Sequence, residues 1–494
     1  MQRRDIPLWL VLPPLLGVTA VVSSPAPSRL YAALLSTGAY ALMQVLLPEC
    51  RFVKERYLCP LNWAMLLFLV KLVVVPSIIM LDHPSQGVLP FPAERASMER
   101  ALLVETAAFV AFCLAVRFVP ARPPRSGLLT SAAALLETTP SLGMAALFAC
   151  LGAVGFLAAF GNIGNLVEYF TNPTILAGRL QEMEGSWRGL GSTVLRPFLA
   201  FALILPWCRG VDLYARASGR MRQTLATAAV ACGIVLANLT FSFNRAAFVF
   251  PLVTLTAVFV YKVSRMSPLL MAAVAAIVAV PVLTIGTYRA NASAGAQAPR
   301  DGDAVSSHSL SEEIQIYACG PQFLGYLLDV AGWNKPLYWG STLVSSVLDP
   351  VPLLGKGFRD SSGVAIYNRA IYGNSGVEDQ IVPFQGELFL NFHLAGTVAG
   401  FFGLGILMAK FQRHFESARS AFAAFAIHYV SMWVAMLIIW SLSVLSQILV
   451  YFCWPIYVCL AWNWIREWSR NERPKPAGLG ALAAAPHGPA GGLT

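Results

Sequence analysis

The sequence predicts an all-α, polytopic membrane protein, and three observations carry that prediction. Hydrophobic residues make up 57% of the 494 and charged residues only 12%, with a mean hydropathy of +0.62. Such a composition belongs to chains that sit in lipid. The apolar residues gather into stretches about twenty residues long, enough to span a bilayer as a helix. The basic residues cluster in alternate connections between these stretches, as the positive-inside rule requires. In lipid each span must be helical, because only a helix satisfies its own backbone polar groups.

About twelve spans are expected, at 8–22, 30–47, 61–81, 101–116, 142–160, 193–208, 224–241, 246–261, 268–287, 391–409, 421–440 and 444–464. They divide the chain into spans one to nine (1–287), a large outer loop (288–390), spans ten to twelve (391–470) and a cytoplasmic tail (471–494). The tail is rich in Pro, Ala and Gly and is expected to be disordered. Placing the N-terminus inside puts 21 of the 35 basic residues on the inner side but only 8 of the 25 acidic ones. Both termini are therefore expected in the cytoplasm and the long loop outside. The net charge of +10 is then a topology signal with attraction to anionic lipid, and it implies no nucleic-acid partner. The first apolar stretch, between Arg3-Arg4 and Ser23-Ser24-Pro25-Ala26, imitates a signal peptide, but the charge alternation needs it as an uncleaved span. Nine cysteines give no disulfide framework, since most lie within spans.

Along the chain, Lys71 falls in the middle of the third span. A charge at that depth is either functional or paired inside the bundle. The outer segment 161–190 holds amphipathic stretches suited to the membrane interface, and Arg196 follows just inside the outer end of span six. Spans seven and eight form a tight hairpin through Phe241-Ser242-Phe243-Asn244-Arg245. Arg245 then sits at the outer surface where a helix begins, beside free backbone N–H groups. A guanidinium there suits a phosphate or pyrophosphate headgroup, and otherwise snorkels to lipid phosphates.

The polar outer loop is too long to be a plain connector, and its many aromatic and Leu residues argue that it folds, as a lid over a membrane-surface site. It carries Arg289, His308, Lys356, Arg359 and Arg369. Ser309-Leu310-Ser311-Glu312 has the spacing of a capping box and should start a helix with Ile314, Tyr317, Phe323, Leu324 and Leu327 on its apolar face, broken near Gly320-Pro321. A second short helix is expected over 339–348, stopped by Pro350 and Pro352. The glycine-rich run 355–363 lacks the residue order of a phosphate-binding P-loop. Glu387 and Asn391 lie four apart and share a helix face where span ten begins. Gly396 and Gly400 follow at a spacing that lets helices approach closely. Glu387 either complements its own helix dipole or takes part in the chemistry.

The stretch Gly386-Glu387-Leu388-Phe389-Leu390-Asn391-Phe392-His393-Leu394-Ala395-Gly396 resembles the Gly-Glu-x-Tyr-x-Asn-Phe-Gly-x-x-Gly segment of bacterial oligosaccharide repeat-unit polymerases (O-antigen polymerase, Wzy-type), with Phe389 and His393 in place of the commoner Tyr and Gly. The hairpin Phe241–Arg245 is similar to a Ser/Asn-Arg hairpin in the same family. The resemblance implies transfer of a glycan from undecaprenyl pyrophosphate to a new lipid-linked repeat unit, outside the inner membrane. Arginines would neutralise the departing pyrophosphate, and a carboxylate or histidine would activate the acceptor hydroxyl. On that footing Glu387, Arg245 and His308 are the catalytic candidates. Arg289, Arg369, Arg359, Lys356, Arg196 and Asn391 are the substrate-binding candidates, with no metal and no cofactor. The implied partners are undecaprenyl-pyrophosphate-linked oligosaccharides and the bilayer, with a chain-length regulator and a flippase as further candidates.

Three alternatives compete. An O-antigen ligase would share the architecture and differ in its acceptor. A metal-dependent polyprenyl-phosphate glycosyltransferase should have carboxylates in its first outer loop, and 23–29 has none. A transporter or lipid-linked glycan flippase would favour charged or broken helices at the midplane and internal repeats.

Overall fold

A computed structural model describes residues 8–51, 58–82, 93–119, 128–161, 164, 187–214, 220–241, 245–264, 310–331, 336–351, 354–373 and 382–471. Among them there is no strand. The helices are α1 (Leu8–Ser23), α2 (Ala32–Leu46), α3 (Pro60–Leu69), α4 (Val75–Asp82), α5 (Arg95–Phe118), α6 (Leu128–Leu136), α7 (Leu142–Phe160), α8 (Trp187–Tyr214), α9 (Arg220–Phe241) and α10 (Arg245–Lys262). The loop contributes α11 (Leu310–Tyr317), α12 (Pro321–Ala331), α13 (Ser341–Leu348) and α14 (Gly363–Tyr372). The last are α15 (Phe384–Ser417), α16 (Ala421–Ala435), α17 (Leu442–Phe452) and α18 (Trp454–Asn471).

Five helical stretches are long and apolar enough to cross a membrane: Pro60–Leu81, Arg95–Phe118, Thr193–Tyr214, Phe384–Ser417 and Ala421–Ile438. Leu442–Phe452 with Trp454–Ser469, bent by 57°, makes a sixth if the pair is one span. Elsewhere the expected spans meet shorter apolar helices, such as Ala32–Leu46 and Met221–Ala237. The expected span 268–287 and most of the tail lie outside the described residues. Large apolar side chains such as Leu15, Leu35 and Val154 face outward, an arrangement that suits lipid better than water. At the centre lies α16, buried on nearly every face, with Phe250, Phe201 and Phe452 packed around Trp433 and Tyr429.

The Lys71 region departs from a plain helix. Between α3 and α4 the backbone widens into a π turn, Val70–Val74, a local defect that often marks a functional position. It directs the Lys71 ammonium to the Glu105 carboxylate of α5 at 3.2 Å, both side chains fully buried. The same ammonium donates to the Cys319 carbonyl at 2.7 Å, where the chain turns between α11 and α12 with φ at 49°. Lys71 is therefore paired inside the bundle, and it also fastens the loop helices to it.

The helices expected in the loop are present, with the break between α11 and α12 at Gly320-Pro321. Phe323, Leu324, Leu327 and Leu328 of α12 pack on Ala101 and Val104 of α5 and on Tyr367, Phe389 and Leu390. Tyr317 lies off that face and is half exposed, because the turn at Cys319 resets the helix direction after α11. At the α12–α5 contact, Ser97 donates to Asp329 and Arg100 pairs with it at 3.2 Å.

Candidate functional site

The site is built around a reversal of the chain in α15. Phe392 (φ −145°, ψ 15°) and His393 (φ 54°, ψ −153°) leave helical geometry. The hydroxyl of Thr397 donates to the carbonyl of Gln385 at 3.2 Å, although residues twelve apart in a straight helix lie about 18 Å apart. Residues 384–391 thus form a short leg folded back against the long leg that follows. Gly396 and Gly400 are what let the legs touch. A Cβ on Gly396 would come within 2.4 Å of the Phe392 Cβ and 3.0 Å of the Leu388 carbonyl oxygen, and one on Gly400 within 2.5 Å of a Leu388 methyl. Their expected role in close packing is met inside one hairpin. His393 holds a backbone conformation that is nearly glycine-only and costs about 1–3 kcal/mol.

The short leg buries three polar side chains, Gln385, Glu387 and Asn391, completely. Gln385 donates to the Ile438 carbonyl at 2.9 Å, and the Phe384 amide to the Trp440 carbonyl at 3.1 Å, so the leg is sewn to the turn that follows α16. Asn391 accepts from the Gly340 amide at 2.7 Å and donates to Thr342 at 2.5 Å and to the Glu387 carbonyl at 2.7 Å. It fixes the turn that opens α13.

Glu387 accepts from the Ser346 hydroxyl, from the Leu442 amide at 3.3 Å and from the Gly363 amide. Leu442 and Gly363 are the first residues of α17 and α14, each preceded by a serine cap. The carboxylate therefore lies between two helix N-termini, where free N–H groups and positive dipole ends stabilise an anion. Glu387 stands in the first turn of its own helix, as complementing that helix's dipole requires, and the two N-termini it contacts belong to other helices. A direct part in proton transfer would first require these contacts to separate.

Lys356 and Arg359 are exposed on the turns between α13 and α14, and Arg369 is exposed on α14 itself. Arg359 approaches Asp349 at 3.4 Å, Arg369 donates to the Asp360 carbonyl at 3.2 Å, and Asp349 also accepts from Ser443 at 3.2 Å. Asp349 follows α13, one helical turn from Ser346, and its partner Ser443 adjoins Leu442, so α13 and the start of α17 bring the Arg359 turn close to Glu387. Arg196 is buried in α8, its guanidinium 5.1 Å from the Phe452 ring. Phe452 ends α17, about 15 Å along that helix from Leu442, so Arg196 lies apart from Glu387. Arg245 is the first residue of α10; its side chain, like His308 and Arg289 entirely, lies outside the described residues.

Tyr338, Ile366, Tyr367, Phe389 and His393 line a cavity of about 140 Å³ between α12, α14 and the short leg. Tyr367 donates to the Phe323 carbonyl at 3.0 Å, and burial raises its phenol above the ordinary range. Burial likewise pushes the Cys319 thiol up to about 12, so it is no nucleophile. Among the described residues no three His, Cys, Asp or Glu side chains gather as metal ligands.

Sequence reasoning missed Glu105, Ser346, Leu442 and His393. Glu105 was within reach: it is the one carboxylate inside any of the twelve expected spans, and a buried lysine needs such a partner. The others depend on the reversal at residues 392–393, which a continuous apolar stretch hides. No protein-family model, curated protein or solved structure matches the chain.

Proposed function

We propose that the chain is a membrane polysaccharide polymerase of the oligosaccharide repeat-unit type, working at the outer face of the bacterial inner membrane. In this reading about twelve spans carry the chain, both termini are cytoplasmic and the helices α11–α14 stand outside. The anomeric C–O bond to undecaprenyl pyrophosphate breaks as a new C–O bond forms to an acceptor hydroxyl. The hydroxyl proton passes to a base, and the lipid pyrophosphate leaves. Arg245 and Arg289 receive the pyrophosphate charge; Arg359, Arg369 and Lys356 face the glycan; His308 is the candidate base. Glu387 and Asn391 position the helices around them, and Arg196 packs on the Phe452 ring at the end of α17.

The observation that carries the reading is the buried hairpin of the Gly-Glu and Asn-Phe residues, set between the loop helices and the apolar bundle and close to the Arg359 turn. A second reading, a lipid-linked glycan flippase or transporter, draws on the buried Lys71–Glu105 pair, the π turn and the broken helices, since intramembrane charges and interrupted helices mark transport paths. A ligase remains the chemical neighbour of the polymerase.

Deleting the gene in its host and analysing the glycans separates the three. Loss of a polymerase leaves single repeats capped on the final acceptor. Loss of a ligase leaves long polymer on undecaprenyl pyrophosphate and none capped. Loss of a flippase leaves single lipid-linked repeats on the inner leaflet. Reporter fusions after Arg125, Arg220 and Arg413 should report cytoplasm and one at Ser361 the outside; a cytoplasmic signal at Ser361 would sink the site.

A further inference from the structure

We propose that the cavity beside His393 binds one sugar ring of the glycan, with the His393 imidazole hydrogen-bonded to a ring hydroxyl; this rests on the polymerase reading and names a subsite within it. The cavity measures about 140 Å³, close to the roughly 150 Å³ that encloses a benzene ring, so a pyranose would seat one face in it and leave its remaining hydroxyls at the open side. Its walls include the rings of Tyr338, Tyr367 and Phe389, with His393 and the Tyr338 phenol as polar groups. Apolar walls with a few convergent polar groups suit an amphipathic ligand, here a pyranose with C–H faces against the rings. Tyr338 and Pro336 are exposed, so the cavity meets the surface on the loop side of the molecule.

The walls are fixed beforehand. The Tyr338 amide donates to the Leu390 carbonyl at 3.2 Å, and the Gly340 amide to Asn391, which ties the tyrosine's turn to the hairpin. The imidazole packs edge-on against Phe389, ring centres 5.2 Å apart. Such preorganisation lowers the cost of binding. The backbone of His393 (φ 54°, ψ −153°) is one that glycine would hold without strain. A histidine kept there places its ring in the cavity, and strain of this kind gathers at functional sites.

The decisive variant is His393→Gly, because glycine relieves the backbone and removes only the ring. In the host it should keep the wild-type amount of membrane-inserted protein and shorten or abolish polymer, as should the cavity-filling Ala370→Phe. Gly403→Ala, whose added methyl meets nothing within 4 Å, is the control. With purified protein in lipid nanodiscs, ligand-observed NMR should show saturable binding of methyl pyranosides of the sugars in the host's own repeat unit. His393→Gly should weaken it at least tenfold, and farnesol should not compete. Full-length polymer from His393→Gly at normal protein level overturns the proposal, as does binding of farnesol but no pyranoside, or no pyranoside binding at all. If gene deletion leaves the polymer unchanged, the polymerase reading falls, whereas pyranoside binding tests the cavity by itself.

Discussion

The Leu442 amide lies 3.3 Å from a carboxylate oxygen of Glu387, fifty-five positions earlier in the chain, while Ser346 and Gly363 donate to the same carboxylate. One side chain thus holds the starts of α14 and α17 and the end of α13 around the short leg of α15. Were Glu387 only a base or a residue that orients the acceptor, Glu387→Gln would leave folding intact. The geometry revises that expectation, because a Gln NH2 would face the Leu442 or the Gly363 N–H in either orientation. A donor set against a buried donor costs about 1–3 kcal/mol. Glu387→Gln should therefore lower the thermal stability of the purified protein by that amount, and Glu387→Asp, which keeps the charge but draws it back, should fall between. A wild-type melting profile for Glu387→Gln would remove the carboxylate from its structural role.

The hairpin makes a graded prediction from its glycines. At Gly396 an added methyl runs into the Cβ of Phe392 and the Leu388 carbonyl, neither of which can swing aside. At Gly400 it meets the far end of the Leu388 side chain, which can rotate. Gly396→Ala should cost about 1–3 kcal/mol, the usual range for overpacking, Gly400→Ala distinctly less, and Gly403→Ala nothing, since alanine in an open helical position stabilises by up to about 1 kcal/mol. Equal effects at Gly396 and Gly403, read from thermal melts, would mean that the two legs do not fold together.

Helix positions were legible because apolar length and breaker residues act locally. Gly320-Pro321 interrupts the loop helix where the sequence places the break, and α13 (Ser341–Leu348) falls within the expected 339–348, whereas α14 (Gly363–Tyr372) was not foreseen as a helix. The reversal at Phe392–His393 was not legible. A glycine at 393 would have advertised a positive φ, whereas a histidine in an apolar stretch reads as ordinary helix. Once the chain turns back, Gly396 and Gly400 serve their own hairpin and Glu387 meets distant helix ends. Those contacts are set by tertiary structure, which local spacing does not encode. Lys71 signalled a partner but not which one, since its choice of Glu105 depends on the packing of α5 against the π turn.

That buried pair predicts a double-mutant result. Removing one partner strands a charge in a low-dielectric interior, at about 3–5 kcal/mol, whereas replacing both with apolar groups of similar volume is often neutral or stabilising. Lys71→Met and Glu105→Leu should each strongly reduce folded protein, and the double variant should recover most of it. Recovery would remain incomplete, because the Cys319 carbonyl loses the Lys71 donor as well. Additive losses in the double variant would show that the two side chains do not act as a pair. A double variant that folds but makes no polymer, or moves no lipid-linked repeat, would give the pair a role in function and strengthen the transport reading.

Arg245 tests the chemistry of the proposed polymerase most directly. It begins α10, and five residues on, Phe250 packs on Trp433 with ring centres 4.1 Å apart and near Trp440 at 6.3 Å. The Trp440 carbonyl in turn accepts from Phe384, the first residue of the hairpin. The start of α10 is therefore coupled to the Glu387 leg through one aromatic layer. A guanidinium offers a planar, two-donor fork to a pyrophosphate, which a lysine ammonium cannot reproduce. If Arg245 receives the leaving pyrophosphate, Arg245→Lys should lower turnover by about a hundredfold, the scale of losing one transition-state donor, with normal protein in the membrane. If Arg245 instead anchors α10 to lipid phosphates, lysine serves as well and polymer length stays at wild type. Polymer length measured beside the amount of inserted protein decides between the two, because a folding defect lowers both together and a lost donor lowers only the first.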